Sequence, residues 1–373
     1  MTRHSAHVTA VVAARPNFVK MAPVVAALAD GPEIAVRIVH TGQHYDPSLS
    51  DSFLEQLGMP RPDVNLQVGS ASHAEQTARV MVGIERALQE HPTDALVVAG
   101  DVNSTMAAAL AAAKLGVPIV HVESGLRSGD WTMPEEINRV VTDRISDLLL
   151  CTSEDAVANL AREGIAGDHV AMVGNTMIDS LRRMLGAAHA ASPLGRLGLE
   201  ARGYALVTLH RPALVDDRDA LLAVLAALDE IAARLPIVFP IHPRTRERLQ
   251  RAGAPDTRVK LLEPLSYLEF LALQASARLV ITDSGGVQEE TSALGVPCVT
   301  YRTSTERPVT IALGTNRLVG TDPGALVQAC GELLSSTPSF EPAAIPLWDG
   351  CAGSRAAARI AQLTTALRAP APV

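Results

Sequence analysis

The chain has 373 residues, of which 47% are hydrophobic, and a formal net charge of −8 at pH 7. This length favours two domains with buried cores, and the negative charge argues against nucleic acid as the main partner. No apolar run is long enough to span a membrane and the N-terminus has no signal-peptide core, so we expect a cytoplasmic protein without a membrane partner. The four cysteines are scattered, with neither metal-ligand nor disulfide spacing.

Short apolar runs alternate with amphipathic stretches along the chain. Predicted strands occupy 8–14, 35–41, 95–99, 117–122, 148–151, 170–173, 204–209, 237–241, 259–262, 277–281, 296–300 and 317–319. Predicted helices occupy 18–29, 51–57, 72–90, 104–115, 154–163, 177–190, 218–235, 267–276, 287–294 and 352–367, and another begins at Pro134. This alternation indicates parallel βαβ units, and continuously apolar strands are typical of sheets covered on both faces. We therefore predict an α/β fold.

The alternation is interrupted once, by a looser stretch at 191–203 that contains Pro193 and three glycines. The pattern restarts at 204 with a new strand, so we predict two α/β domains. The segment 170–176 marks the boundary between them.

Polar residues collect just past the C-terminal ends of the predicted strands. They are Arg15, Gln43, His44, Asp101, Glu123, His210, His242, Ser284, Glu306 and Arg307. In open α/β sheets this edge is where ligands bind. Loops are polar in general, but that does not explain why so many ionisable residues fall at one end of the strands. We expect the two domains to pool these residues in one cleft.

A Gly-Gly turn, Ser284-Gly285-Gly286, links a predicted strand to a predicted helix. Glycines allow the backbone to approach a ligand closely, and the N–H groups and dipole of a helix N-terminus favour an anion. Glu290, one turn further on, is placed to accept hydrogen bonds from sugar hydroxyls. The alternative is a tight turn without a ligand, and these residues alone leave both interpretations open.

Three carboxylates, Asp101, Glu123 and Glu135, are candidates for acid/base chemistry near neutral pH. Each also has a structural interpretation: Asp101 as a helix N-cap, Glu123 as a turn carboxylate, and Glu135 as the i,i+4 partner of Arg139. His210 is either a proton donor or anion ligand, or a packed loop histidine.

Two classes of cofactor enzyme are disfavoured. No Gly-x-Gly-x-x-Gly follows the first predicted strand, which argues against a nicotinamide dehydrogenase, and no His/Cys pair has metal-ligand spacing. The residues therefore predict a two-domain α/β enzyme that binds a diphosphate-containing ligand, and they do not name its reaction.

Ten motifs, in the same order, resemble the non-hydrolysing UDP-N-acetylglucosamine 2-epimerases. They are ARPNFVKMAP (14–23), HTGQHY (40–45), GDVNST (100–105), HVESGLRS (121–128), PEEINR (134–139), GNTMID (174–179), LHRP (209–212), IHPR (241–244), DSGGVQEE (283–290) and TERP (305–308). Together they cover the chain from about Val8 to Gly320.

The resemblance implies two Rossmann-like domains in a GT-B arrangement, with the active site in the interdomain cleft. We place the first domain at 1–172 and the UDP-binding domain at 173–350, with a C-terminal helix near 352–368 packing back on the first. It also implies interconversion of UDP-GlcNAc and UDP-ManNAc without NAD, metal or another cofactor. The proton on C2 is removed, UDP is eliminated to leave a 2-acetamidoglucal, and UDP then re-adds with inverted configuration at C2.

Residue roles follow from the matching positions. The residues expected to be catalytic are Asp101, Glu123, Glu135 and His210. The residues expected to bind the UDP-sugar are Arg15, Lys20, Arg139, His242, Phe270, Ser284, Gly285, Gly286, Glu290 and Arg307. Which carboxylate is the base stays open.

The chain departs from the family pattern at three places. Ala213-Leu214 stand where many members carry Glu-Asn, Ser124 replaces a common alanine, and Asp46 replaces a glutamine of the candidate regulatory site that includes Gln43 and His44.

Alternative functions remain open at this point. They are a hydrolysing 2-epimerase that releases UDP and ManNAc, a 2-epimerase of a modified UDP-2-acetamido sugar, a GT-B glycosyltransferase, and an inactive UDP-sugar sensor. We also predict a homodimer and a role in polysaccharide biosynthesis.

Overall fold

The computed structural model describes residues 6–31, 34–42, 53–241, 243–253, 256–337 and 339–368, with the backbone alone at 15, 212, 243 and 244. Within these residues two sheets form. The strands of the first sheet are β1 (Ala6–Val12), β2 (Ile34–His40), β3 (Val64–Asn65), β4 (Ala95–Ala99), β5 (Ile119–Ser124), β6 (Leu148–Cys151) and β7 (Val170–Met172). The strands of the second sheet are β8 (Ala205–Thr208), β9 (Ile237–Pro240), β10 (Lys260–Leu262), β11 (Leu279–Thr282), β12 (Cys298–Thr300) and β13 (Asn316–Leu318).

Both sheets are parallel, and the six strands of the second follow the same order as the first six strands of the first. The first runs β3-β2-β1-β4-β5-β6-β7 and the second β10-β9-β8-β11-β12-β13. Each is doubly wound, because the order reverses direction once, between β1 and β4 in the first sheet and between β8 and β11 in the second. The predicted α/β fold with parallel sheets is confirmed.

Helices connect the strands. The described helices are Arg15–Ala29, His73–Glu90, Asn103–Leu115, Pro134–Ile145, Glu154–Arg162, Thr176–Ala190, Leu194–Leu197, Pro212–Val215, Arg218–Ala232, Pro243–Arg251, Tyr267–Ser276, Gly285–Leu294, Val309–Ala312, Pro323–Ser335 and Ala352–Arg368. Residues 53–57 are also helical, whereas 51 and 52 of that predicted helix lie outside the described residues. No helix among the described residues is both long enough and apolar enough to cross a membrane.

The strands are buried as parallel strands require. Every residue of β4 and of β5 is buried, which agrees with coverage of both sheet faces by helices. The alanines Ala107, Ala108 and Ala112 of Asn103–Leu115 are fully buried in one apolar cluster with Leu96 and Val98 of β4. Small side chains at these positions bring the helix axis close to the sheet.

Several elements differ from the prediction. The helix Pro323–Ser335 was not predicted, although the Asp322 carboxylate accepts hydrogen bonds from Gly324 N (3.2 Å) and Ala325 N (3.1 Å) as an N-cap. The short strand β3 was missed as well. Two predicted helices begin earlier than expected, at Arg15 and at Gly285, so the glycine pair lies inside the first turn of its helix.

The chain divides into two compact units, Met1–Ser180 with Pro346–Val373, and Leu181–Ile345, called here the first unit and the second unit. We predicted divisions after 172 and after 350. The first unit includes the last helix, whose first two N–H groups, at Ala352 and Gly353, donate to the Asp179 carboxylate (3.2 and 2.7 Å). A side chain at Gly353 would approach the Pro23 carbonyl oxygen to 2.6 Å, so glycine permits this helix to pack against Arg15–Ala29.

Candidate functional site

Two of the three predicted catalytic residues of the first unit, Asp101 and Glu123, lie at the C-terminal ends of its central strands. Asp101 follows β4, and Glu123 is the residue before the last in β5. β4 borders the point where the strand order reverses, which is the usual ligand-binding crevice of a doubly wound sheet.

Glu123 occupies a backbone irregularity. The register of β5 against β6 shifts between Val122 and Ser124, and Glu123 itself has φ of 67°. A left-handed conformation at a non-glycine residue is uncommon and concentrates at functional sites. The irregularity turns the Glu123 side chain to Lys20, whose Nζ lies 2.7 Å from Oε1. Both side chains are buried, with 2% and 7% exposure.

Gly100 makes room for this ion pair. Its φ is 68°, and a Cβ at this position would lie 2.7 Å from Lys20 Nζ. Asn17 holds the adjacent strand end, because its amide donates to Ala99 O at 2.7 Å. Lys20 is thus fixed between the ends of β4 and β5.

Asp101 is paired with Arg139, which is buried and also contacts Glu136 (Nη2–Oε2 2.9 Å). The predicted i,i+4 pair between Glu135 and Arg139 is wrong, because the guanidinium turns to Asp101 and to Glu136 at i,i+3. The N-cap interpretation of Asp101 is also wrong, since Val102 occupies the N-cap of Asn103–Leu115. Glu135 lies half-buried in the first turn of Pro134–Ile145.

Glu136 organises the loop that precedes its helix. Its carboxylate accepts hydrogen bonds from Ser128 N (3.0 Å) and Gly129 N (2.9 Å). Burial alone would raise the pKa of Glu136, but these donors and Arg139 outweigh it and lower the pKa below its usual value. Glu136 is therefore a structural anion beside Arg139.

The second unit orients His210 through a buried carboxylate. Asp283, at the end of β11, lies 2.9 Å from His210 Nδ1 and accepts hydrogen bonds from His210 N (2.9 Å) and Arg211 N (2.8 Å). Burial would raise the pKa of Asp283, but its bonds with His210 and Arg211 hold it below the usual value. The His210 side chain is 58% exposed, so its outer ring nitrogen is open to a ligand.

The glycine turn, Ser284-Gly285-Gly286, begins the helix Gly285–Leu294. A Cβ at Gly285 would meet the Arg307 guanidinium and would lie 2.6 Å from Glu306 Oε1. Arg307 is itself buried, and its guanidinium binds Glu306 and Glu289 (Nε–Oε1 2.9 Å). The positive charge of Arg307 is therefore shared with two carboxylates that support the turn.

Glu290 lies in the next turn of the same helix and is buried. Its Oε1 accepts a hydrogen bond from the Tyr267 hydroxyl at 2.9 Å. Burial raises the pKa of Glu290 to about 7, against the opposing effect of this hydrogen bond. Phe270 is half-buried on the neighbouring helix Tyr267–Ser276.

The chain is similar to known proteins in both sequence and structure. A model of the UDP-N-acetylglucosamine 2-epimerase family matches residues 26–361. The chain belongs to this family. The Methanocaldococcus jannaschii UDP-N-acetylglucosamine 2-epimerase is 40% identical over 355 residues, which cover 92% of this chain and 96% of that protein. The crystal structure of the M. jannaschii enzyme in complex with UDP-GlcNAc and UDP superposes with a TM-score of 0.86 at 39% identity, covering 95% of this chain and 99% of that one.

A second relative in this family carries a different name. The Pseudomonas aeruginosa UDP-2,3-diacetamido-2,3-dideoxy-D-glucuronate 2-epimerase is 41% identical over 330 residues, covering 88% of this chain and 92% of that protein. The family predicted from the ten motifs is confirmed.

Some predicted site residues of this 2-epimerase family member lie outside the described structure. These are Gln43, His44 and His242, together with the side chain of Arg15. Among the residues that are described, no group of three His, Cys, Asp or Glu side chains is arranged to hold a metal ion.

Sequence reasoning missed several residues that shape the site. Asn138 donates to Asp101 O (2.8 Å) and to Asn103 Oδ1 (3.1 Å), which ties Asp101 to the helix of Arg139. Asp143 and His121 form a buried pair behind Glu123. The local sequence around Asn138 and Asp143 carries no signal for these contacts, because their partners are distant in sequence.

Proposed function

We propose that the protein is a UDP-N-acetylglucosamine 2-epimerase that interconverts UDP-GlcNAc and UDP-ManNAc by the non-hydrolysing route. The observation that carries the proposal is the pair of carboxylates at the ends of β4 and β5, Asp101 and Glu123, each bound to a buried cation in a chain of this family. Supporting it, the second unit carries a glycine turn at a helix N-terminus, which suits a diphosphate.

The proposed reaction is an elimination followed by re-addition. A carboxylate takes the C2 proton, the C1–O bond breaks with its electron pair leaving on UDP, and a C1=C2 double bond forms in 2-acetamidoglucal. Re-addition reverses these changes, with UDP bonding to C1 and a proton reaching the opposite face of C2. The net result is inversion at C2, with no water consumed.

In the first unit, Glu123 and Asp101 are the proposed proton-transfer groups, with Glu135 as a third carboxylate. Lys20 and Arg139 hold the two side chains in fixed positions, and such preorganisation lowers the barrier to proton transfer.

In the second unit, His210 is the proposed proton donor or charge stabiliser for UDP, held by Asp283. Ser284, Gly285 and Gly286 are proposed for the diphosphate, Glu290 for the ribose hydroxyls and the Phe270 backbone for uracil. Because two carboxylates already bind Arg307, we assign it to support of the glycine turn.

A second candidate substrate is a UDP-2,3-diacetamido-2,3-dideoxyuronate. The P. aeruginosa relative supports this candidate, because it is 41% identical to this chain and the M. jannaschii epimerase is 40% identical. Both substrates have an acetamido group at C2 and require the same elimination.

The test is NMR of UDP-GlcNAc and of the diacetamido uronate in deuterated buffer with the enzyme. We expect one of them to reach equilibrium with its C2 epimer, with solvent deuterium at C2. Stoichiometric free UDP with ManNAc would instead establish the hydrolysing route, and turnover without deuterium at C2 would exclude the elimination.

Two variants assign the carboxylates. Glu123→Gln and Asp101→Asn should each lower kcat by about 10²–10⁴-fold, the usual contribution of a proton-transfer group, and leave the calorimetric Kd for UDP nearly unchanged. An active double variant would contradict the assignment. The homodimer and the cytoplasmic location stay predictions, and light scattering after gel filtration tests the first.

A further inference from the structure

Asp143 is a buried carboxylate with three polar partners. It lies in the helix Pro134–Ile145, and its side chain is fully inaccessible to solvent. Oδ1 lies 2.6 Å from His121 Nδ1, and Oδ2 accepts hydrogen bonds from Gly125 N (3.0 Å) and Arg127 Nη1 (2.7 Å). Burial would raise the pKa of Asp143, but His121 and Arg127 outweigh it and lower the pKa below its usual value.

His121 faces an acceptor at each ring nitrogen. Nδ1 meets the Asp143 carboxylate, and Nε2 lies 2.8 Å from the Gly100 carbonyl oxygen. The ring is fully buried, so His121 bridges the Asp143 carboxylate and the backbone at the end of β4.

Arg127 links this pair to a further carboxylate. It also binds Glu163, with Nε–Oε1 at 2.7 Å. The nearby Cys151 thiol stays neutral, because burial raises its pKa to about 12.

These contacts flank Glu123 on both sides. His121 precedes it by two residues and Gly125 follows it by two, and Asp143 binds both. Between these two anchors lies the register shift of β5 and the left-handed backbone of Glu123. A strained backbone conformation persists only when its surroundings fix it, and Asp143 supplies that fixing.

The same network reaches the second carboxylate. His121 holds Gly100, the residue directly before Asp101. Gly100 N also donates to Val122 O at 3.0 Å. The N–H and the carbonyl of Gly100 are therefore both bonded to residues of β5, which joins the ends of β4 and β5. The buried His121–Asp143 pair thus fixes the backbone next to both proposed proton-transfer groups.

We infer that Asp143 and His121 are positioning residues that hold Glu123 and Asp101 in their reactive places. The inference rests on the proposed function for its kinetic consequence. Neither residue is assigned a contact with substrate.

The first test is Asp143→Asn, which preserves shape but removes the charge. We expect kcat for epimerisation to fall by about 10–100-fold, the scale of a small misplacement of a catalytic group, while KM and the Kd for UDP change less than about threefold. The matched control is Asp147→Asn, because the Asp147 carboxylate accepts a hydrogen bond from Ile119 N (2.8 Å) at the opposite end of β5. That control should keep kcat within about threefold of wild type. Equal losses in the two variants would reduce Asp143 to a structural role and overturn the inference.

The second test is His121→Gln, which removes the ring that links Asp143 to Gly100. We expect the same pattern, a kcat lowered by about 10–100-fold with the Kd for UDP changed less than about threefold. A kcat within about threefold of wild type would overturn the inference, and this variant decides the case if Asp143→Asn does not fold. Amide hydrogen exchange at Gly125, which donates to Asp143, is measured without any substrate and should be faster in Asp143→Asn than in Asp147→Asn. Absence of wild-type turnover would refute the proposed function and leave the exchange result valid.

Discussion

The buried Glu290 carboxyl makes the stability of the second unit depend on pH. Its pKa in the folded protein is about 7, above the ordinary 4.5, because burial disfavours the charged form. The sign follows from linkage: the folded state holds this proton more tightly than the unfolded state does, so the stabilisation is complete below the unfolded pKa. It is lost as pH rises through the folded pKa.

The size of the effect follows from the two pKa values. For a carboxyl that titrates near 4.5 when unfolded and about 7 when folded, raising the pH from 5 to 8 removes about 2.5 kcal/mol of stability. Glu290→Gln abolishes the titration and keeps an oxygen that accepts the hydrogen bond from Tyr267. The variant should therefore gain about 2.5 kcal/mol relative to wild type over this pH range.

The assay is urea denaturation of both proteins at the two pH values, followed on the transition that includes the second unit. The control is Glu332→Gln, which removes the same charge from an exposed helix position in that unit. A Glu290→Gln variant that gains less than about 0.5 kcal/mol, no more than a surface substitution, would refute the buried-carboxyl argument.

Two further substitutions test the packing of the site. Lys20→Met should destabilise the first unit by about 3–5 kcal/mol in urea denaturation, because it removes the buried Lys20 charge bound to the Glu123 carboxylate. Lys20→Met with Glu123→Gln should recover most of that loss, and a single variant as stable as wild type would contradict a buried pair. Gly285→Ala should destabilise the second unit by about 1–3 kcal/mol, since its Cβ would meet Arg307. Gly186→Ala, in a helix with open space around the added Cβ, is the control expected to stabilise by about 0.5–1 kcal/mol, and equal effects of the two would refute the steric argument.

The fold was largely predictable because local patterns encode it. Apolar runs placed most of the strands, and helix periodicity placed most of the long helices, since burial on both faces of a parallel sheet leaves a strong signal. The missed helix Pro323–Ser335 had its signal in Asp322-Pro323, an N-cap followed by proline at the first position. Helix caps considered together with periodicity therefore predict this helix.

The partners of charged residues were harder to predict. The spacing of Glu135 and Arg139 indicated a helix pair, but Arg139 reaches Asp101, 38 residues away. Asp143 has the appearance of a surface residue in the sequence of an amphipathic helix, yet it is buried among partners from other elements. Such pairs depend on which strand ends meet, and the sequence pattern around one residue carries no information about that.

The left-handed backbone of Glu123 is also a feature that the local sequence does not predict. Outside glycine this conformation has no sequence signature, because it is imposed by the contacts on either side. The structure places Glu123 at the end of β5, as predicted, and adds its pairing with Lys20.

The last helix has a consequence for the order of folding during synthesis. Ala352–Arg368 completes the first unit, and its N-terminus is bound by Asp179, whereas the second unit is encoded entirely before it. A ribosome therefore releases every residue of the second unit before it releases the segment that the first unit needs. Domains generally fold as units as they emerge. The nascent first unit therefore lacks its last helix, and its Arg15–Ala29 face stays uncovered, until synthesis of the second unit is finished. Truncation before Ala352–Arg368 would leave this face uncovered permanently.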